Sequence, residues 1–212
     1  MRLGHTTVGL LTLMRLLRMA FDERSYLVSS GYVASLAKRA EPPAEGTSLP
    51  WYSYPARDLL VERIHDSMSV LEFGAGRSTV FYARRARSVT ALEHDADWLR
   101  RVAAAVPESV RLVQCDATSS ESYLAALSGL GQFDLICVDG RHRSACVPAG
   151  ARHLTAGGVL LLDDSQRERY RASATELVRS GFRELQLEGL RDGSSGPSST
   201  SFFYRDDNCL RL

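Results

Sequence analysis

The segment Val70-Leu71-Glu72-Phe73-Gly74-Ala75-Gly76-Arg77-Ser78-Thr79 carries residue types that can hold a nucleotide-like ligand. Val70, Leu71 and Phe73 read as a buried strand. Gly74 and Gly76 follow as a turn whose missing Cβ atoms let the backbone approach a ligand, and Ser78 and Thr79 can cap the next helix. Free N–H groups at that helix start would face a carboxylate or phosphate. A dinucleotide site wants a third glycine where this chain has Thr79, so the NAD fingerprint is incomplete. Val89 to Glu93 is a second apolar run ending in a carboxylate, roughly 20 residues after the turn, where doubly wound folds hold ribose hydroxyls. Glu93 is the expected ribose ligand.

A second constellation lies downstream. Gln132 to Asp139 and Gly157 to Asp164 read as fourth and fifth strands, and both end in acid. Asp139, Asp163 and Asp164 would then converge, which is costly unless a cation neutralises them, and a hard divalent ion with oxygen ligands fits. His142 follows Asp139 by three residues, and its unperturbed pKa of about 6.5 suits removal of a hydroxyl proton at neutral pH. The plainer reading makes it a solvated loop residue between Arg141 and Arg143.

The elements that must position these groups alternate. Val110 to Gln114 is the third apolar run, closed by Cys115 and Asp116, and a helical link is expected around Ala145 to His153. Such alternation implies an α/β fold, a doubly wound parallel sheet with helices on both faces and ligands beyond the carboxyl ends of its strands. Leu185 to Leu190 and Ser201 to Tyr204 read as closing strands around the polar, Gly/Ser-rich loop Arg191 to Thr200, which is expected to be mobile.

Residues 1–46 stand apart as a helical extension and linker, with the domain proper over 47–212. From Val8 to Phe21 the chain is Leu-rich, and Thr12, Arg15 and Arg18 recur every three residues as a polar stripe on an otherwise apolar helix. Such a helix needs a surface: the domain itself, a second copy of the chain, or a membrane on which it lies. Arg15 and Arg18 interrupt the run too early for a spanning segment, and no clean cleavage site follows it. Glu41 to Gly46, with paired prolines, reads as the linker. Leu49 to Pro55 is an aromatic cluster ahead of a helix from about Ala56 to Ile64, either a hydrophobic plug under the sheet edge or a lid over the site.

Composition narrows the class. A chain of 212 residues with 44% apolar content suits a soluble enzyme with a substantial core, and a net charge of +1 argues against a dedicated nucleic-acid binder. The four cysteines lack Cys-x-x-Cys spacing and read as buried, reduced thiols in a cytoplasmic protein.

Glu72-x-Gly74-x-Gly76 resembles the first motif of class I S-adenosylmethionine (SAM) methyltransferases. With Pro50 to Pro55, Glu93 to Asp95, Val138 to Gly140, Asp163 to Tyr170 and Thr200 to Leu210, the chain is similar to a bacterial family of methyltransferase-like proteins whose substrates are poorly defined. The likeness covers most of residues 47–210. It implies a Rossmann-like sheet of seven strands with an antiparallel C-terminal strand. It also implies SAM held by Glu72, Gly74, Gly76, Ser78, Thr79 and Glu93, with Asp116 beside the adenine amino group. Asp139, Asp163 and Asp164 match positions that bind magnesium or calcium in the catechol O-methyltransferase class, and His142 falls where those enzymes keep a lysine base. His142 and Asp139 are the expected catalytic pair. Arg77 and Asp164 both replace an asparagine usual in the family.

The implied activity is O-methylation of a small molecule, sugar or biosynthetic intermediate. The alternative is a SAM-binding or partner-binding protein of the same fold without turnover. An aminopropyltransferase fits less well, and a nucleic-acid methyltransferase less again, because the Asn-Pro-Pro-Tyr type of base-flipping motif is absent.

Overall fold

The structure is a computed structural model, and it describes residues 9–37 and 49–212. The expected linker, Glu41 to Gly46, lies outside the described residues. Seven strands form one sheet: β1 (Ser69–Phe73), β2 (Ser88–Glu93), β3 (Arg111–Gln114), β4 (Phe133–Val138), β5 (Leu154–Asp163), β6 (Arg183–Gly189) and β7 (Ser198–Tyr204). Their spatial order is β3-β2-β1-β4-β5-β7-β6. The first five are mutually parallel, while β7 runs antiparallel to both neighbours, as the resemblance implies. This is the Rossmann-like arrangement, with a switch in strand order between β1 and β4, where such sheets hold ligands.

Burial follows the sequence pattern. Every residue of β1 is buried, including Glu72, and β4 and the second half of β5 are nearly continuous apolar runs, as strands covered on both faces must be. Leu71, Phe73, Ile136, Val138, Leu160 and Leu162 face one core layer, and Val70, Leu135, Cys137, Val159 and Leu161 the other. Edge strands β3 and β6 are the exposed ones. Helices α5 (Arg77–Ala83), α6 (Ala96–Ala103), α7 (Ser120–Ala125), α8 (Arg143–Ala151) and α9 (Glu168–Arg179) follow β1 to β5 in turn.

Ahead of β1, helix α4 (Tyr54–Arg63) starts two residues earlier than expected, because Pro55 sits in the first turn, where a missing N–H costs nothing. The aromatic cluster divides between its two readings. Tyr52 and Tyr54 are buried as a plug, and Trp51 is half exposed at the mouth of a cavity.

The N-terminal segment holds α1 (Leu10–Phe21), α2 (Tyr26–Ser29) and α3 (Tyr32–Leu36). Residues of α2 and α3 dock on the domain. Tyr26 and Tyr32 meet the Tyr54 ring edge-on, and the Tyr32 hydroxyl donates to the Ser194 carbonyl at 2.7 Å. These contacts correct the expectation of a mobile loop after β6. Tyr54 Oη donates to Asp192 Oδ1 at 2.7 Å and Gly193 N donates to Ser35 Oγ at 2.9 Å, so the polar loop is held by partners far away in sequence. Packing on the domain is not the fate of α1. Leu11, Leu13, Met14, Leu16, Leu17, Met19 and Phe21 are all exposed, because α1 meets α2 rather than the sheet.

Candidate functional site

The β1 and β4 loops cross without a side chain between them. Gly74 has φ +100°, and a Cβ there would meet the Gly140 Cα at 2.9 Å; a Cβ on Gly140 would meet the Phe73 carbonyl at 2.8 Å and the Gly74 nitrogen at 2.9 Å. Both glycines are required by this approach. Gly76 differs, since its φ of 178° is ordinary extended backbone and a Cβ there would meet nothing within 4 Å. Its missing side chain leaves room beside the turn rather than allowing the turn.

Between the loops lies a cavity of 330 Å³ bounded by Trp51, the Gly74 to Ser78 turn, Glu93, His94, Trp98 and Asp139 to Arg141. That volume suits a small-molecule site. Glu93 ends β2, and its carboxylate ties the surroundings together. Oε2 accepts from Ala75 N at 3.1 Å, and Oε1 accepts from His94 N and Asp95 N at 2.8 and 2.9 Å, with His94 Nδ1 at 2.7 Å. Oε2 therefore keeps an acceptor position open. Trp98, not anticipated from the sequence, donates from Nε1 to the Ala75 carbonyl at 2.7 Å and pins the turn from α6.

Thr79 caps α5 as expected, its Oγ1 accepting from Gly76 N at 2.8 Å. Ser78 and Thr79 also turn their hydroxyls to the Glu72 carboxyl, but burial dominates there and pushes that carboxyl up to about 7. Two buried polar atoms at this turn lack hydrogen-bond partners: Glu72 Oε2 and Arg77 Nε. The Arg77 guanidinium lies 5.7 Å from the Trp51 ring centre.

Asp116 and His142 line an adjoining cavity with His94, Gln114, Cys115, Ala117, Thr118 and Arg141. The Asp116 carboxylate, exposed to solvent, accepts from Thr118 N and Oγ1 at 2.9 and 2.7 Å, bonds that lower its pKa. His142 adopts a left-handed conformation, φ 51°, as the residue before α8. Its ring turns towards the end of β3, where Nε2 meets the Ala117 carbonyl at 3.0 Å and Tyr123 packs at 5.9 Å. The structure thus brings Asp139 to the first cavity and His142 to the second, and the expected catalytic pair is divided.

The three strand-end aspartates do converge, with a cation among them that the sequence reading missed. Arg143 Nη2 meets Asp139 Oδ1 at 2.5 Å, and Nη1 lies 3.6 Å from Asp164 Oδ2 and 3.8 Å from Asp163 Oδ2. Asp164, at φ 56°, also pairs with Arg167 at 2.6 Å and Arg191 at 3.3 Å. Asp163 lies further from these cations and accepts from Thr200 Oγ1 at 2.8 Å; burial, with Asp139 and Asp164 close by, pushes its carboxyl up to about 8. These residues do not fit a divalent ion. Their oxygens already serve guanidinium groups, and among the described residues no group of three or more His, Cys, Asp or Glu could hold a metal. An arginine four residues after Asp139 was the available signal.

Comparison with known proteins bears on the fold and the class of domain. Residues 71–165, from within β1 to just past β5, match a family model described as a methyltransferase domain. No curated protein matches the chain in sequence. Among solved structures, a precorrin-8w decarboxylase from Methanobacterium thermoautotrophicum superposes with TM-score 0.58 at 18% identity, covering 76% of this chain and 96% of its own. A methyltransferase from Pyrococcus furiosus gives 0.55 at 16%, over 91% and 98%. The O-methyltransferase TomG from Streptomyces achromogenes, in complex with SAM, gives 0.55 at 19%, over 69% and 77%. At these identities the likeness is one of fold.

Two predictions follow from the turn. Gly140→Ala forces a methyl into backbone and should lower stability by about 1–3 kcal/mol, with Gly74→Ala at least as damaging, whereas Gly76→Ala should leave urea unfolding unchanged. Equal losses at all three positions would refute the crossing argument. The second concerns pH. Glu72 has a folded pKa of about 7 against an ordinary value of 4.5, so the folded state holds its proton longer than the unfolded chain. Its contribution is fully present below 4.5 and is lost as pH rises to 7, by about 3 kcal/mol. Glu72→Gln, which cannot ionise, should therefore gain stability over wild type as pH rises from 5 to 8. A gap that stays constant with pH would contradict this.

Proposed function

We propose that the chain is a SAM-dependent methyltransferase acting on a hydroxyl of a small molecule, sugar or biosynthetic intermediate. The observation that carries this reading is the pair of unsatisfied buried groups at the first turn. Glu72 Oε2 is an acceptor without a donor, and Arg77 Nε is a donor without an acceptor. The amino-acid end of SAM offers an ammonium and a carboxylate, the two groups of matching sense. Arg77 in place of the family's asparagine then supplies a carboxylate ligand. Glu93 takes the ribose hydroxyls through its open Oε2 position, and Gly76 leaves the space beside the turn free. Asp116 and His142 line the cavity suited to adenine. A SAM complex and an S-adenosylhomocysteine complex among structures of this fold support the cofactor class.

When bound, SAM supplies a methyl group on a sulfonium. The chain's part is to orient an acceptor and remove its proton, and Asp139 is the member of the expected pair that lines the first cavity. Because the aspartates do not fit magnesium or calcium, no step is assigned to a metal.

Calorimetry with SAM, its demethylated product and nicotinamide nucleotides tests the cofactor. Glu93→Gln should weaken SAM by about 1.5–3 kcal/mol. It should also lower thermal stability, because the same carboxylate orders Ala75, His94 and Asp95. Asp139→Asn should abolish methyl transfer with SAM affinity nearly unchanged. Folded wild type that ignores SAM would sink the proposal, and SAM binding without any acceptor would favour the non-catalytic alternative.

We further place the protein in the cytoplasm, with its four cysteines free, and α1 on an anionic membrane surface. Leu13, Leu16, Leu17 and Phe21 share one side of α1, Arg15 and Arg18 lie on the other, and α1 contains no acidic residue. Among the described residues no helix is long and apolar enough to cross a membrane. Wild type should sediment with phosphatidylserine vesicles, and deletion of residues 1–21 should abolish this without changing the melting temperature. A dimer that the deletion dissociates would make α1 a subunit contact instead.

A further inference from the structure

We propose that the Arg143 guanidinium is the resident cation of the aspartate cluster, occupying the place a divalent ion would need and closing the site to metal. Each nitrogen of the group meets a main-chain oxygen: Nη1 donates to Asp163 O at 2.7 Å, Nη2 to Asp139 O at 2.8 Å and Nε to Gly140 O at 3.2 Å. The carboxylates of Asp139, Asp163 and Asp164 face the same group. Backbone carbonyls and carboxylates of this kind are the ligand set of calcium. Here they surround a planar cation, which needs oxygens spread around its edge rather than gathered about a point.

Charge gives the same answer. Arg143, Arg167 and Arg191 face Asp139, Asp163 and Asp164, and burial holds Asp163 towards its neutral form, so the three cations already meet all the negative charge of the cluster. The Arg143 side chain is only 12% exposed, and the Tyr170 ring lies 5.7 Å from its Cζ. A divalent ion would have to expel this guanidinium and leave a buried cation without its counter-charges, which is strongly unfavourable. Arg143 is thus a positioning residue that fixes the Asp139 carboxylate at the cavity wall, and any turnover proceeds with chelator present. The inference does not rest on the SAM assignment.

The test uses Mn²⁺ alone as probe on the full chain, read by water-proton relaxation. Wild type should show no saturable site tighter than about 10⁻³ M. Arg143→Ala and Arg143→Ser uncover the oxygens and should each gain one site on the order of 10⁻⁴–10⁻³ M, which Asp163→Asn in the same background removes. Saturable binding to wild type that Asp163→Asn abolishes overturns the proposal, and so does a folded Arg143 variant that binds no Mn²⁺. Should neither variant fold in metal-free buffer, restoration of the circular dichroism spectrum by Mn²⁺ supports it, and failure to restore overturns it.

Discussion

The contact between Gly74 and Gly140 is the constraint on which the site depends. Two loops leaving adjacent parallel strands can stay adjacent only if neither carries a side chain at the crossing, and here backbone lies on backbone. Gly74 N bonds to the Leu92 carbonyl on one side, and Asp139 N bonds to the Phe73 carbonyl on the other. The ends of β2, β1 and β4 are thereby tied in one row. Asp139 immediately precedes Gly140, and Arg77 follows Gly74 by three residues, so both reach the cavity from positions the crossing fixes. A looser approach would separate the acidic wall from the turn.

Around that crossing lie several carboxyl groups, all buried except the partly exposed Asp139, and each is stabilised by different means. Glu93 uses backbone N–H groups. Glu72 has two hydroxyls and is driven towards its neutral form by burial. Asp139 and Asp164 have guanidinium partners, while Asp163 has the Thr200 hydroxyl with cations further off. Only groups whose partners leave valence unfilled can respond to a ligand, which singles out Glu72 and Glu93 rather than the aspartates. The acidic cluster that looks most reactive in the sequence is the better satisfied of the two constellations.

Much of the fold was legible because buried parallel strands leave continuous apolar runs and end in the acids that mark the ligand edge of the sheet. Glu72, Gly74, Gly76, Thr79, Glu93 and Asp139 are all at the cavity or its turn for that reason. Orientation was not legible. His142 lies three residues after Asp139 in the chain, yet a left-handed residue before α8 turns its ring to the Ala117 carbonyl and away from that carboxylate. Arg143 reads as solvated beside Arg141 and His142, and only the tertiary convergence of β4 and β5 makes it internal. The loop after β6 looks mobile from composition, whereas its anchors, Tyr32, Ser35 and Tyr54, lie more than a hundred residues away.

Those anchors connect parts of the chain that sequence alone keeps apart. Ser35 and Tyr32 hold Gly193 and Ser194, Tyr54 holds Asp192, and Arg191 next to it reaches Asp164 at 3.3 Å. Ser53 extends the same line, its amide donating to Thr200 Oγ1 at 3.3 Å while that hydroxyl donates to Asp163. The segment before β1 is therefore part of the support for the acidic cluster, through hydrogen bonds to the β6–β7 loop. Trp51, at the start of this line, lines the cavity itself. One continuous set of contacts thus runs from α3 to the wall of the site, and order in that helix and order at Asp164 are physically linked.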